Sequence, residues 1–121
     1  MKFKPCLSIT QGLLFTYCTE NSRDSAREAF ISSKNVNNEQ ELRELFEKLT
    51  KPEFMRYKID ERSWHINTLL HFLATEENFE SVFYLFDTYF TDEISDKRKF
   101  MKILLEALLG YDAEATSRES E

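Results

Sequence analysis

An all-α fold, one small domain of about five to six helices, is predicted by two features of this 121-residue chain. Only two Gly and two Pro occur, too few for the tight turns and strand breaks of β-sandwiches and barrels. Apolar side chains recur at helical spacing, most plainly at Leu42, Leu45, Phe46 and Leu49, the stripe of a helix with one buried face. Hydrophobic residues make up 41% and charged residues 31%, enough apolar surface to oppose chain entropy in a single globule. Eleven Phe, five Tyr and one Trp carry much of that surface, so an aromatic core is expected.

Residues 7–20 hold Leu13, Leu14, Phe15, Tyr17 and Cys18, a pattern that fits a buried helix or a short strand and is assigned to helix. Ser22 is placed to cap a short helix reaching Ile31, with Ala26, Ala29 and Phe30 at helical spacing. Residues 32–38 read as a polar connector, where Asn37 or Asn38 can cap the amphipathic helix 39–49. Lys51-Pro52 is expected to end or kink that helix, because proline pushes the preceding residue out of the α region. Residues 52–64 then read as a basic, aromatic connector. Ile66, Leu69, Leu70 and Leu73 mark the next helix. Asn78 caps another, with Phe79, Val82, Phe83, Phe86, Tyr89 and Phe90 on one side, and the two helices form a hairpin. Tyr84 and Leu85 carry that apolar surface most of the way round, which points to a homo-oligomer as one way of burying it. Ser95 or Asp96 starts the last helix, through Phe100, Ile103, Leu104, Ala107, Leu108 and Tyr111, and Gly110 supplies a C′ stop. The domain is therefore drawn at 1–111, with 112–121 as a flexible polar tail.

Within the hairpin, Thr68, Leu70, His71, Ala74, Glu80, Val82, Leu85 and Phe86 form a pattern that resembles the two-helix body of an ankyrin repeat over residues 68–86. The resemblance implies antiparallel helices stacked as a solenoid, with Thr68 and His71 bracing the turn into the first helix. Leu69 stands where the family has proline, and Ile66 and Glu77 stand where it has glycine. The helices at 39–49 and 96–109 would then be degenerate repeat halves.

Composition and motifs exclude several kinds of chemistry. Gly12 and Gly110 alone cannot build a glycine-rich phosphate loop. Cys6 and Cys18 match neither a zinc knuckle nor a redox pair, and reduced, partly buried thiols are expected. His65 and His71 fall on different faces of one helix, which defeats a shared metal. Glu76, Glu77 and Glu80 read as surface carboxylates, and Ser63 beside Trp64-His65 is not read as a nucleophile, because that needs a base and an orienting acid assembled in space, which sequence adjacency does not supply. No enzyme activity, no metal and no cofactor is expected. The apolar stretch near Gly12 is too short for an export signal or a membrane span, so the expected location is cytoplasmic.

Residues 65–121 carry five basic and twelve acidic groups, and the chain totals −6. That surface would repel a phosphate backbone, so direct nucleic-acid binding is not expected. Lys97, Arg98, Lys99 and Lys102 read as a solvated helix face. The function expected is a protein–protein interaction module, with Arg56, Tyr57, Arg62, Trp64 and His65 meeting the partner, since Arg, Tyr and Trp are favoured hot-spot residues. The alternative is a small acidic inhibitor or immunity-type protein that blocks a basic, nucleic-acid-handling enzyme.

Overall fold

The computed structural model describes residues 4–17, 25–83, 90 and 93–119, whose regular elements are all helices, with no strand among the described residues. α1 (Leu7–Leu13) tightens into a 3₁₀ turn at Leu14–Tyr17. α2 (Ser25–Ser32) follows, its expected cap Ser22 lying outside the described residues. α3 (Glu39–Leu45) starts where Asn38 Oδ1 accepts the N–H of Glu41 at 3.1 Å, one of the orphan donors of a helix start. α4 (Lys51–Phe54), α5 (Ile59–Leu73), α6 (Glu80–Phe83) and α7 (Lys97–Glu119) complete the order.

Pro52 does not end its helix. Between α3 and α4 the backbone widens into a π turn, Phe46–Thr50, so that the Lys51 N–H reaches the Phe46 carbonyl and Pro52 enters near the start of a fresh α turn, where its missing N–H is least costly. The wider turn is held from outside. The Tyr17 hydroxyl donates to the Leu45 carbonyl at 3.1 Å and lies 2.7 Å from the Thr50 hydroxyl. A carbonyl can only accept, so Thr50 donates in turn to Tyr17. Burial pushes the Tyr17 phenol well above its ordinary range.

The basic, aromatic connector expected at 52–64 is mostly helix. Only Met55–Lys58 separate α4 from α5, and the Glu61 carboxylate accepts the Lys58 N–H at 3.3 Å to start α5, with Asp60 adding negative charge to the positive end of the helix. The stop expected at Gly110 is overturned too. α7 continues to Glu119, Ala115 is 5% exposed, and Glu114 pairs with Lys51 at 2.9 Å. Glycine is merely a weak helix former, and tertiary packing outweighs about 1 kcal/mol of propensity. Residues 112–119 thus continue the helix, which stays packed on the fold as far as Ala115.

α5 and α7 run antiparallel through the middle of the fold. Near one end Arg62 of α5 meets Asp112 of α7, and near the other Arg98 of α7 donates to the Leu73, Thr75 and Glu77 carbonyls at 2.7–2.9 Å. Arg98 therefore caps the carboxyl end of α5, where a cation suits the helix dipole, and does not belong to a solvated basic face. The core is aromatic as expected. Phe100 takes Phe46 and Phe83 edge-on at 5.5 Å between centroids, the arrangement ring quadrupoles favour. Asp96 caps α7, its Oδ1 accepting the Lys99 N–H at 3.0 Å. Of the hairpin's second helix, α6 is described to Phe83, and residues 84–89 lie outside the described residues. Thr68 and His71 sit inside α5 and not at the turn that enters it; Thr68 is buried and His71 exposed.

Candidate protein-interaction surface

The five residues expected to meet a partner do not share one surface, because helical periodicity through α5 turns them in different directions. Arg62 points inward. Its side chain is 1% exposed, with Nε donating to Asp112 Oδ1 at 2.8 Å and Nη1 to the Tyr57 carbonyl at 2.7 Å. His65 is 7% exposed, stacks on Tyr57 at 4.9 Å between centroids, and meets the edge of Phe54. Trp64 is half-buried, and its Nε1 donates to the Lys4 carbonyl at 2.6 Å, so it ties the N-terminal segment to α5 together with the bond from Cys6 N–H to Thr68 Oγ1. Arg56 alone of the five is exposed. Arg62 and His65 are consequently core residues, while of the other expected contacts Arg56 is exposed and Tyr57 and Trp64 are half-buried.

Burial holds the His65 imidazole below its ordinary pKa of 6.5, an effect partly opposed by the Glu61 carbonyl 2.8 Å from Nδ1. A carbonyl accepts only, so Nδ1 carries the proton. The folded protein then binds fewer protons than the unfolded chain as pH falls below about 6.5, and stability drops there until the folded form also protonates. Urea midpoints measured across this range are expected to fall on acidification in the wild type and to fall less in His65→Gln.

The residues that α5 leaves in water form another set. Ile59 and Leu70 are 50% and 48% exposed, and eleven residues at 100° each bring them back to within ~20° of one another, about three turns apart. Arg62, bonded to Asp112, and Leu73, whose carbonyl accepts from Arg98, mark the edge of α5 toward α7, and Ile59 and Leu70 lie one step outward from it. On α7, Arg98 and Asp112 mark the edge toward α5, and Leu109, 47% exposed, lies one step outward there. Counting three residues forward from Arg62 and three back from Asp112 in the antiparallel pair sets Leu109 level with His65. Three of the four exposed large hydrophobics among the described residues therefore lie on the outer face of the α5–α7 pair, the fourth being Phe15. Ser63, Asn67, Asp60 and His71 share the exposed side of α5 with them. Sequence reading missed this face because Leu70 fits the apolar stripe of its helix, and nothing local shows that α7 stops short of covering it.

Elsewhere, an open groove between α2 and α3 is floored by Phe30 and rimmed by Arg43, Glu44 and Lys48. Its charges are engaged by neighbours. Lys34 pairs with Glu44 at 2.6 Å, Arg43 with Glu39 and Glu106 at 3.1 Å, and Lys48 lies 4.2 Å above the Phe30 ring. Cys6 is exposed, against the partial burial expected, with a free thiol 2.9 Å from the Ser8 hydroxyl; Cys18 lies outside the described residues. Among the described residues no group of three or more His, Cys, Asp or Glu is placed to hold a metal ion, and no helix is long and apolar enough to cross a membrane. The chain matches no family model, no curated protein and no solved structure.

Proposed function

We propose that this chain is a non-catalytic protein-interaction module that binds a partner protein through the outer face of α5 and α7. The observation that carries the reading is the gathering of Ile59, Leu70 and Leu109 on that one face, each about half exposed. Fully burying such a side chain is worth roughly 1.5–3 kcal/mol, so each keeps about 1 kcal/mol of favourable burial to be gained on docking. Ser63, Asn67, Asp60 and His71 around them supply the polar surroundings of an interface that is also stable in water. The acidic-inhibitor reading has less behind it. It draws on the acidic C-terminal half, where Glu106, Glu114 and Asp112 are paired with Arg43, Lys51 and Arg62 of the same chain. A cytoplasmic setting accords with the free Cys6 thiol.

Affinity capture with wild type, Leu70→Glu and Arg56→Glu tests the reading, each protein being checked by circular dichroism. Leu70→Glu is expected to weaken capture at least about tenfold, the equivalent of 1.4 kcal/mol, and Arg56→Glu to leave it intact. The reverse pattern would return the binding site to the 56–65 segment.

A further inference from the structure

We infer that the partner for this face is a second copy of the same chain, docked with α5 antiparallel to α5 across a twofold axis. The inference rests on the proposed function and names the partner of the same surface. An isologous contact requires a patch complementary to itself, so that residue i meets j and j meets i about one centre. α5 has such a pattern. Ile59 with Leu70, Asp60 with His71, and Ser63 with Asn67 are three pairs whose midpoints all fall within half a residue of position 65. Each pair joins groups that suit one another: two aliphatic side chains, a carboxylate with an imidazole N–H donor, and a hydroxyl with an amide.

The helical angles agree with the spacings. Asp60 and His71 lie ~20° apart, about 100° round α5 from Ile59 and Leu70, on the side away from α7. A twofold axis perpendicular to two antiparallel helices keeps like flanks together. Asp60 of one copy is thereby brought to His71 of the other, twice, along one rim. The other rim belongs to α7, where Leu109 is level with residue 65 and so stands beside the axis, facing Leu109 of the second copy. Among the described residues neither the Asp60 nor the His71 side chain forms a hydrogen bond within one copy, so both arrive at the contact with their polar atoms available.

Sedimentation velocity of the full chain over a concentration series tests the inference, using wild type, Leu70→Glu, Asp60→Arg and the double variant Asp60→Arg with His71→Asp. The wild type is expected to shift from monomer to dimer as concentration rises, and Leu70→Glu to remain monomeric with an unchanged circular dichroism spectrum. Asp60→Arg is expected to raise the dimer dissociation constant about fivefold, the scale of losing an exposed polar contact made twice, and the double variant to bring it back near the wild-type value. A wild type that stays monomeric throughout would overturn the second copy as partner; if Leu70→Glu still abolished capture of another protein, the interaction-module reading would survive that failure. A dimer indifferent to both Leu70→Glu and Asp60→Arg would place self-association on another face and overturn the inference.

Discussion

Alanine at Phe79 is expected to cost the fold about 3–5 kcal/mol, the range for truncating a buried Phe, and glycine at the same position is expected to cost less than alanine. Phe79 is fully buried and yet has φ of 60°, a left-handed conformation that costs a residue with a Cβ about 1–2 kcal/mol. Its surroundings hold it there. The Glu77 carboxylate accepts the Phe79 N–H at 3.0 Å, the Asn78 side chain accepts the Glu80 N–H at 3.0 Å, and the Phe79 carbonyl accepts from Val82 at 3.1 Å. Alanine loses the ring and keeps the strain; glycine loses the ring and the strain together. At an ordinary φ glycine would be the worse of the two by about 0.5–1 kcal/mol. The order is expected to invert, with Phe79→Gly unfolding at higher urea than Phe79→Ala by roughly 1 kcal/mol of stability. An ordinary order would show that residue 79 is not held left-handed.

Asp112→Ala is expected to destabilise the protein by about 3 kcal/mol. Removing one partner of a buried ion pair leaves the other charge uncompensated, at about 3–5 kcal/mol. The lower end applies because Asp112 keeps 27% of its side chain exposed while Arg62 keeps 1%. Replacing both groups, as in Arg62→Met with Asp112→Leu, removes the stranded charge, so the double variant should recover most of the loss. Equilibrium urea unfolding of the single and double variants reads both values. A loss under about 0.5 kcal/mol for Asp112→Ala would mean that water already screens the pair.

These two sites show where a sequence is legible and where it is not. Local chemistry was readable: Asn38 and Asp96 each accept the backbone N–H that their positions implied, and many of the aromatic residues lie in the core, whereas α6 starts only at Glu80 and Asn78 accepts the Glu80 N–H from the turn before it. Features decided by distant residues were not. Pro52 has the local signature of a helix end, but the π turn before it is held by Tyr17, 28 residues upstream of the Leu45 carbonyl it binds. Arg62 in a run with Arg56, Tyr57 and Trp64 looks like a contact residue until Asp112, 50 positions away, draws it inside. Gly110 reads as a stop only while nothing is known of Lys51 and Arg62, which hold the next two turns of α7 in place. The exposed face has the same origin, since Ile59 and Leu70 are left outside by where α7 lies.

Association through the outer face of α5 and α7 is read directly by a methyl-labelled NMR concentration series on the full chain, with the Ile59, Leu70 and Leu109 signals assigned by substitution. As concentration is raised from micromolar to millimolar, these three residues' methyl signals are expected to move together along one binding curve while those of buried Leu42, Leu45 and Leu108 stay fixed. Constant signals from Ile59, Leu70 and Leu109 across the series, or shifts confined to residues away from α5 and α7, would contradict it.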